Sequence, residues 1–172
     1  MVDFQLMTSL DLEATFPDDN ACKAYLAGRR WQHKVRCPRC GNDKVYALPG
    51  FNWQCQACNS KGYRFSVLVG TAFENTKIPL KYWFRIIHMM LTSRKNMTVV
   101  EVQRNTGLGS NRSSWFLYHR VRRALTDDNF LKLMGIVEKN EESANNLRHR
   151  PGLDSGLIQT RAASVKLPST GR

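Results

Sequence analysis

Four of the five cysteines stand in two Cys-x-x-Cys pairs, Cys37-Pro38-Arg39-Cys40 and Cys55-Gln56-Ala57-Cys58, with fourteen residues between the pairs. Two residues between cysteines let one tight turn aim both sulfurs at a single point, and two such turns close a tetrahedron around a metal ion. Gly41 follows the second sulfur, where a permissive backbone is often needed. Between and after the pairs the sequence is strand-like. Residues 44–48 and 51–54 flank the turn dipeptide Pro49-Gly50, and residues 62–67 place Tyr63, Phe65 and Val67 on one face. A small sheet carrying two metal-binding turns is a zinc ribbon. It is too small to fold on apolar burial alone, so the metal supplies folding energy. The expectation is one structural Zn2+ held by Cys37, Cys40, Cys55 and Cys58. Four thiolates leave no open coordination position, which argues against a catalytic metal. Four thiolates also suit an iron–sulfur centre. A redox Cys-x-x-Cys would normally be single and lie near a βαβ pattern, and none is visible.

Metal rather than disulfide chemistry fits a reducing cytoplasm. No run reaches the roughly 18 apolar residues of a membrane helix. Residues 1–10 lack the basic start and apolar core of a signal peptide. The expected location is therefore cytoplasmic, with no membrane partner.

The net charge of +12 points to a polyanion, and its distribution sharpens the point. Residues 1–28 are acidic. Residues 29–66 carry eight Lys and Arg against Asp43, and residues 77–125 carry ten against Glu101. Each basic block coincides with a motif. Around the ribbon lie Arg29, Arg30, Lys34, Arg36, Arg39, Lys44, Lys61 and Arg64, which suit phosphate contact; ribbons also bind protein, and the sequence leaves both open.

Within the acidic N-terminal helix segment, residues 10–31, Phe16-Pro17-Asp18-Asp19 opens a helix running to about Arg30, with Pro17 in its first turn, Asp18 and Asp19 near its positive end and Arg29 and Arg30 near its negative end. Cys22 within it reads as a small core residue. After the ribbon (residues 32–70), Ile78-Pro79-Leu80 opens a strongly apolar helix, in which His88 is expected at a core or boundary position. Thr98-Val99-Val100-Glu101 is a capping-box sequence, and Gly107 suits the left-handed end of the helix it opens. Ser110 is the expected cap of a third helix running to about Leu125. Two short helices joined by a glycine-bearing turn make a helix-turn-helix, residues 77–126. On the third helix, Leu117, Val121, Leu125, Tyr118 and Trp115 are assigned to the core half. Arg112, Phe116, His119, Arg120 and Arg123 are assigned to the outer, DNA-facing half. Arg112 at the N-terminal end is placed to read a base, and Arg120 and Arg123 to grip phosphates. The fold class is α+β: a four-cysteine ribbon, then a helical helix-turn-helix domain, then a tail.

The succession of motifs resembles the N-terminal half of a bacterial insertion-sequence transposase with a zinc ribbon and a DDE-type nuclease domain. The resemblance spans residues 10–137 and rests on the ribbon, on Gly70-Thr71-Ala72-Phe73 leading to Lys77-Ile78-Pro79-Leu80-Lys81-Tyr82-Trp83, and on Gly107-Leu108-Gly109-Ser110 with Trp115 and His119-Arg120-Val121-Arg122. It implies recognition of double-stranded DNA at transposon ends. In that family a Glu-x-Asp-Glu-Thr-Tyr strand follows, bringing the first catalytic aspartate. Here Gly135-Ile136-Val137-Glu138 resembles its start, but Lys139-Asn140-Glu141-Glu142 follows instead. Residues 127–138 are thus expected to be a remnant of the nuclease domain and residues 139–172 a disordered tail. No catalytic residue is assigned. The expected function is a zinc-dependent DNA-binding module of a transposase, truncated and without nuclease activity, with self-association or an intact transposase as protein partner. The alternative is a zinc-ribbon adaptor that binds protein.

Overall fold

The computed structural model describes residues 4, 6–58, 62–93 and 97–136. The expected tail, the strand start at Glu138 and Lys61 lie outside them. The elements run α1 (Ser9–Thr15), α2 (Asp19–Arg30), β1 (Val45–Leu48), β2 (Asn52–Cys55), β3 (Tyr63–Ser66), α3 (Leu80–Thr92), α4 (Val99–Thr106), α5 (Asn111–Ala124) and α6 (Asp128–Met134).

The segment of residues 10–31 holds the expected helix ending at Arg30, as α2, and a shorter helix, α1, before it. Thr8 and Asp11 form a reciprocal capping box that opens α1. Pro17 lies before α2, not in its first turn. Asp18 takes the N-cap position, its carboxylate accepting from the Ala21 N–H at 2.8 Å. The sequence signal for α1 was Thr-x-x-Asp at residues 8–11, obscured because the segment is short and carries one core-facing side chain, Leu12.

Three strands form an antiparallel sheet in the order β1-β2-β3. Its register puts Ala47, Trp53 and Phe65 in one cross-strand row, and Tyr46, Gln54 and Arg64 in the next, on the opposite face. The first row packs against Trp31 from the end of α2: the Trp31 and Trp53 rings meet edge to face at 4.8 Å.

The helices share one core around α3. Trp83, Phe84, Ile86 and Ile87 are buried there with Leu26 of α2, Val102 of α4 and Leu117 and Val121 of α5. His88 is buried, its Nε2 2.7 Å from the Met7 carbonyl, so it serves packing as expected. The chain between ribbon and helices is pinned. Phe73 is fully buried against Trp83 and Phe130. Arg30 donates to the Val67 carbonyl at 2.7 Å, and Arg120 to the Glu74 carbonyl at 2.6 Å.

Residues 127–136 behave as part of the helical core. Asp127 caps α6, and Phe130, Leu131 and Met134 are buried with the rest. Helix α6 lies on α2, where Tyr25 donates to the Met134 carbonyl at 2.8 Å and Arg29 to the Lys132 carbonyl at 2.7 Å. Gly135 ends α6 at φ 69°, and a Cβ there would sit 2.9 Å from the Tyr25 hydroxyl. The positive φ favours glycine here, and a Cβ would in addition make the Tyr25 hydroxyl and the Arg29 guanidinium shift.

Candidate metal centre and nucleic-acid face

The four sulfurs of Cys37, Cys40, Cys55 and Cys58 lie within 4.8 Å of one another. Cys37 and Cys58 approach to 3.5 Å, and Cys40 and Cys55 to 3.6 Å. Sulfurs bonded to zinc at ~2.3 Å in a tetrahedron are separated by ~3.8 Å, so the group fits one zinc ion. The turn that follows Cys37 is closed by the Gly41 N–H donating to the Cys37 carbonyl at 2.9 Å, with Gly41 at φ 70°. Cys55 is supplied by the end of β2 and is fully buried, whereas Cys40 faces solvent.

The thiols are electrostatically prepared for a cation. Burial acts to raise the Cys37 pKa, but the backbone N–H groups of Cys40 and Arg39 and the neighbouring sulfurs outweigh it and bring the thiol down to about 7. Cys55 is pushed up by burial and by its contact with Cys40, and Cys58 by its contact with Cys40 and by burial. One thiolate forms readily and makes the others harder to ionise. A divalent cation removes that penalty, since its charge favours all four thiolates together. The chain holds one structural zinc through Cys37, Cys40, Cys55 and Cys58.

The basic residues around the ribbon divide in the structure. Arg29 and Arg30 are half-buried and hold carbonyls of other segments, and Lys34 pairs with Asp43 at 2.9 Å. Arg36, Arg39, Lys44 and Arg64 are exposed, with the Arg39 guanidinium 5.7 Å from the Tyr63 ring centre.

Helix α4 opens on the capping box of Thr98 and Glu101 and ends at Gly107 with φ 67°. A short turn leads to α5. Ser110 occupies the N-cap position of α5, but no side-chain capping hydrogen bond forms there. Its carbonyl accepts from the Ser114 hydroxyl at 3.2 Å instead. On α5, Leu117, Val121 and Leu125 face the core, as does Ser114, which had not been assigned there. Trp115 is the correction: it is 55% exposed and lies against the His119 ring at 4.3 Å. At about 100° per residue Trp115 points roughly 160° away from Leu117. The helical wheel that groups it with Leu117, Val121, Leu125 and Tyr118 leaves it at the margin of that half, and the structure places it outside the core. Small Ser114 takes the buried place because its angle is right.

Arg112, Trp115, Phe116, His119 and Arg123 therefore form one exposed stripe along α5. Arg120 lies beside the stripe, half-buried. Its guanidinium donates to Glu74 and lies 5.3 Å from the Phe116 ring centre and 5.7 Å from that of Trp83. Cys22 stays apart from all of this, fully buried in α2.

Among the described residues, no helix is long and apolar enough to cross a membrane. Residues 17–61 match the family model described as a transposase zinc-ribbon domain. A protein of Halobacterium salinarum, described as an uncharacterized protein in transposable element ISH50, is 23% identical over 112 residues, covering 64% of this chain. That match spans 36% of the relative's own length. No solved structure gives a significant match. The four-cysteine ribbon of this chain is thus of the transposase type.

Proposed function

We propose that this chain, with its transposase-type ribbon, is a DNA-binding module of an insertion-sequence transposase and recognises the terminal inverted repeats of its element. The observation that carries this reading is the exposed stripe of α5 in a helix-turn-helix, with Arg112 at its open N-terminal end. A recognition helix reads base edges from that end, and arginine there can donate to both guanine acceptors in the major groove. Arg123, further along the same face, suits a phosphate. Phe116 and His119 lie between them on the same exposed face. Arg120 is committed to the Glu74 carbonyl and holds α5 against the segment that joins ribbon and helices. The exposed Arg36, Arg39, Lys44 and Arg64 extend the cationic surface over the ribbon.

The role assigned to residues 10–136 is binding, not catalysis. Among the described residues, the four cysteines are the His, Cys, Asp or Glu group placed to hold a metal. Four thiolates close that site to substrate. Such a module works on DNA in the cytoplasm, where reducing conditions keep the thiols available to zinc. A second copy, or an intact transposase paired at the other end of the element, is the protein partner this role would take.

The test is binding of the zinc-loaded chain to the repeats flanking its own gene, with scrambled duplex as control and salt varied. Affinity for the repeats should exceed that for scrambled DNA. It should fall with salt at a log–log slope of about −0.9 for each phosphate neutralised. Arg112→Ala should cost about 1–3 kcal/mol on the repeats and less on scrambled DNA. Equal loss on both would reduce Arg112 to a phosphate contact, and no binding at low salt would defeat the reading.

A further inference from the structure

The outer face of α5 is not a bare ridge along its whole length. From Trp115 to Arg123 it forms one wall of a cleft of about 700 Å³, bounded on the other sides by residues 70–72 and by the start of α6. The intact major groove accepts a helix when little else stands beside it, because the groove is about 12 Å wide and a helix with its side chains nearly fills it. Arg112 lies outside the cleft and meets that condition. Trp115 and Phe116 line the cleft, with residues 70–72 and α6 standing beside them.

We propose that this cleft takes an unpaired nucleotide of the DNA end, its base stacked on Trp115 or Phe116. The inference rests on the DNA-binding role proposed above and names the form of DNA the site prefers. Three observations support it. First, two large aromatic side chains, 55% and 42% exposed, stand side by side on the helix face that carries Arg112 and Arg123. Aromatic faces interleaved with cations are how proteins hold unpaired strands, since every base offers a π face and every linkage a phosphate.

Second, the platform is held in place before any ligand arrives. The Arg120 guanidinium lies between the rings of Phe116 and Trp83 and is fixed by its bond to the Glu74 carbonyl, so Phe116 leans on an anchored group. The Trp115 ring lies against the His119 ring at 4.3 Å. Pre-ordering of this kind lowers the cost of ordering side chains on binding.

Third, the rim is chemically divided. Arg123 brings a cation suited to phosphate. Asp127 and Asn129, at the start of α6, bring a carboxylate, one oxygen of which caps the helix by accepting from the Asn129 N–H, and an amide. A carboxylate would repel a phosphate, but it can accept from the amino group of a base, and the amide can both donate and accept. The strong positive charge of residues 77–125, ten Lys and Arg against Glu101, favours a polyanion over an apolar peptide as the occupant.

The experiment compares the zinc-loaded full chain on a blunt duplex and on the same duplex carrying a short single-stranded oligothymidine tail. Fluorescence anisotropy reads both affinities. The tail should tighten binding by about fivefold or more, the value of one stacked base. Trp115→Leu, which keeps an apolar group but removes the π face, should bring the tailed-to-blunt ratio close to one. Phe116→Leu should lower the same ratio while preserving the apolar support for Arg120. A ratio near one in the unaltered protein would overturn the inference and leave duplex recognition standing. So would a ratio unchanged by both substitutions. If Trp115→Leu instead abolished a concentration-dependent self-association, the cleft would belong to a second copy, and the nucleotide would be the wrong occupant. Failure to bind either DNA would remove the DNA-binding role itself.

Discussion

At the scale of single residues, the five cysteines separate into two chemical classes by environment alone. Cys37, Cys40, Cys55 and Cys58 converge on one point, whereas Cys22 is sealed inside α2. Burial, aided by the nearby charges of Asp19 and Asp18, pushes the Cys22 thiol up to about 12. A pKa raised in the folded state means the fold holds the proton. That contribution to stability is complete below the ordinary value near 9 and is lost as pH rises toward 12. In a thiol-labelling assay at pH near 8, the expected order is therefore fixed. Four sulfurs should react once a chelator removes zinc, and the fifth only when denaturant opens the helical core. Reaction of all five together on chelation would show that Cys22 is not sealed. A companion expectation is that Cys40→Ser abolishes stoichiometric zinc despite the exposure of this side chain. Three thiolates leave the tetrahedron open, and the metal content of the purified variant reads the result.

At the scale of elements, α4 is the best-specified helix. Thr98 accepts from the Glu101 N–H, Glu101 returns the bond to the Thr98 N–H at 2.6 Å, and Gly107 closes the far end in the left-handed region. Thr98→Ala should cost about 1 kcal/mol in denaturant unfolding, the usual value of an N-cap, with little effect on zinc content. The segment between ribbon and helices is specified differently, by side chains reaching carbonyls. Arg120→Lys should loosen it even with the charge retained. A compact ammonium cannot lie flat between Phe116 and Trp83 while donating to Glu74. The expected readout is faster hydrogen exchange over residues 70–76 and no loss of zinc; unchanged exchange there would mean Phe73 alone pins the segment.

At the scale of the whole molecule, ribbon and helices are built on separate principles and then joined. The helical core is a large cluster centred on α3, with Trp83, Phe84, Ile86 and Ile87 fully buried. The ribbon core is a handful of residues, with Phe65, Cys37 and Cys55 buried in it, and depends on metal. Chelation should therefore unfold β1–β3 while α3–α6 persist, seen as partial loss of circular dichroism followed by one cooperative helical transition. The melting temperature of that transition should fall, because Trp31 loses Trp53 and Arg30 loses the Val67 carbonyl. Acid should reproduce the effect of chelation. Protons and zinc compete for the same four sulfurs, so affinity falls as pH drops, and a dye that reports free zinc should register release below neutrality.

The sequence by itself determined the metal centre, the ribbon strands, the capping box of α4 and the general course of the helix-turn-helix. These features are local: ligand spacing, turn dipeptides and caps act over a few residues and need no distant partner. Tertiary structure decided which residues of α5 face outward. Trp115, at the margin of the apolar half of the helical wheel, stands in solvent, while Ser114 is buried, because the packing of α3 and α4 on α5 sets where the core edge falls. It decided that Arg29, Arg30 and Arg120 hold carbonyls, because a cation's partner is set by where the chain returns, and charge counting along the sequence carries no such information. It also decided that α6 belongs to the helical core. Phe130 and Met134 find their burial against Phe73 and α2, contacts separated by more sequence than any local pattern spans.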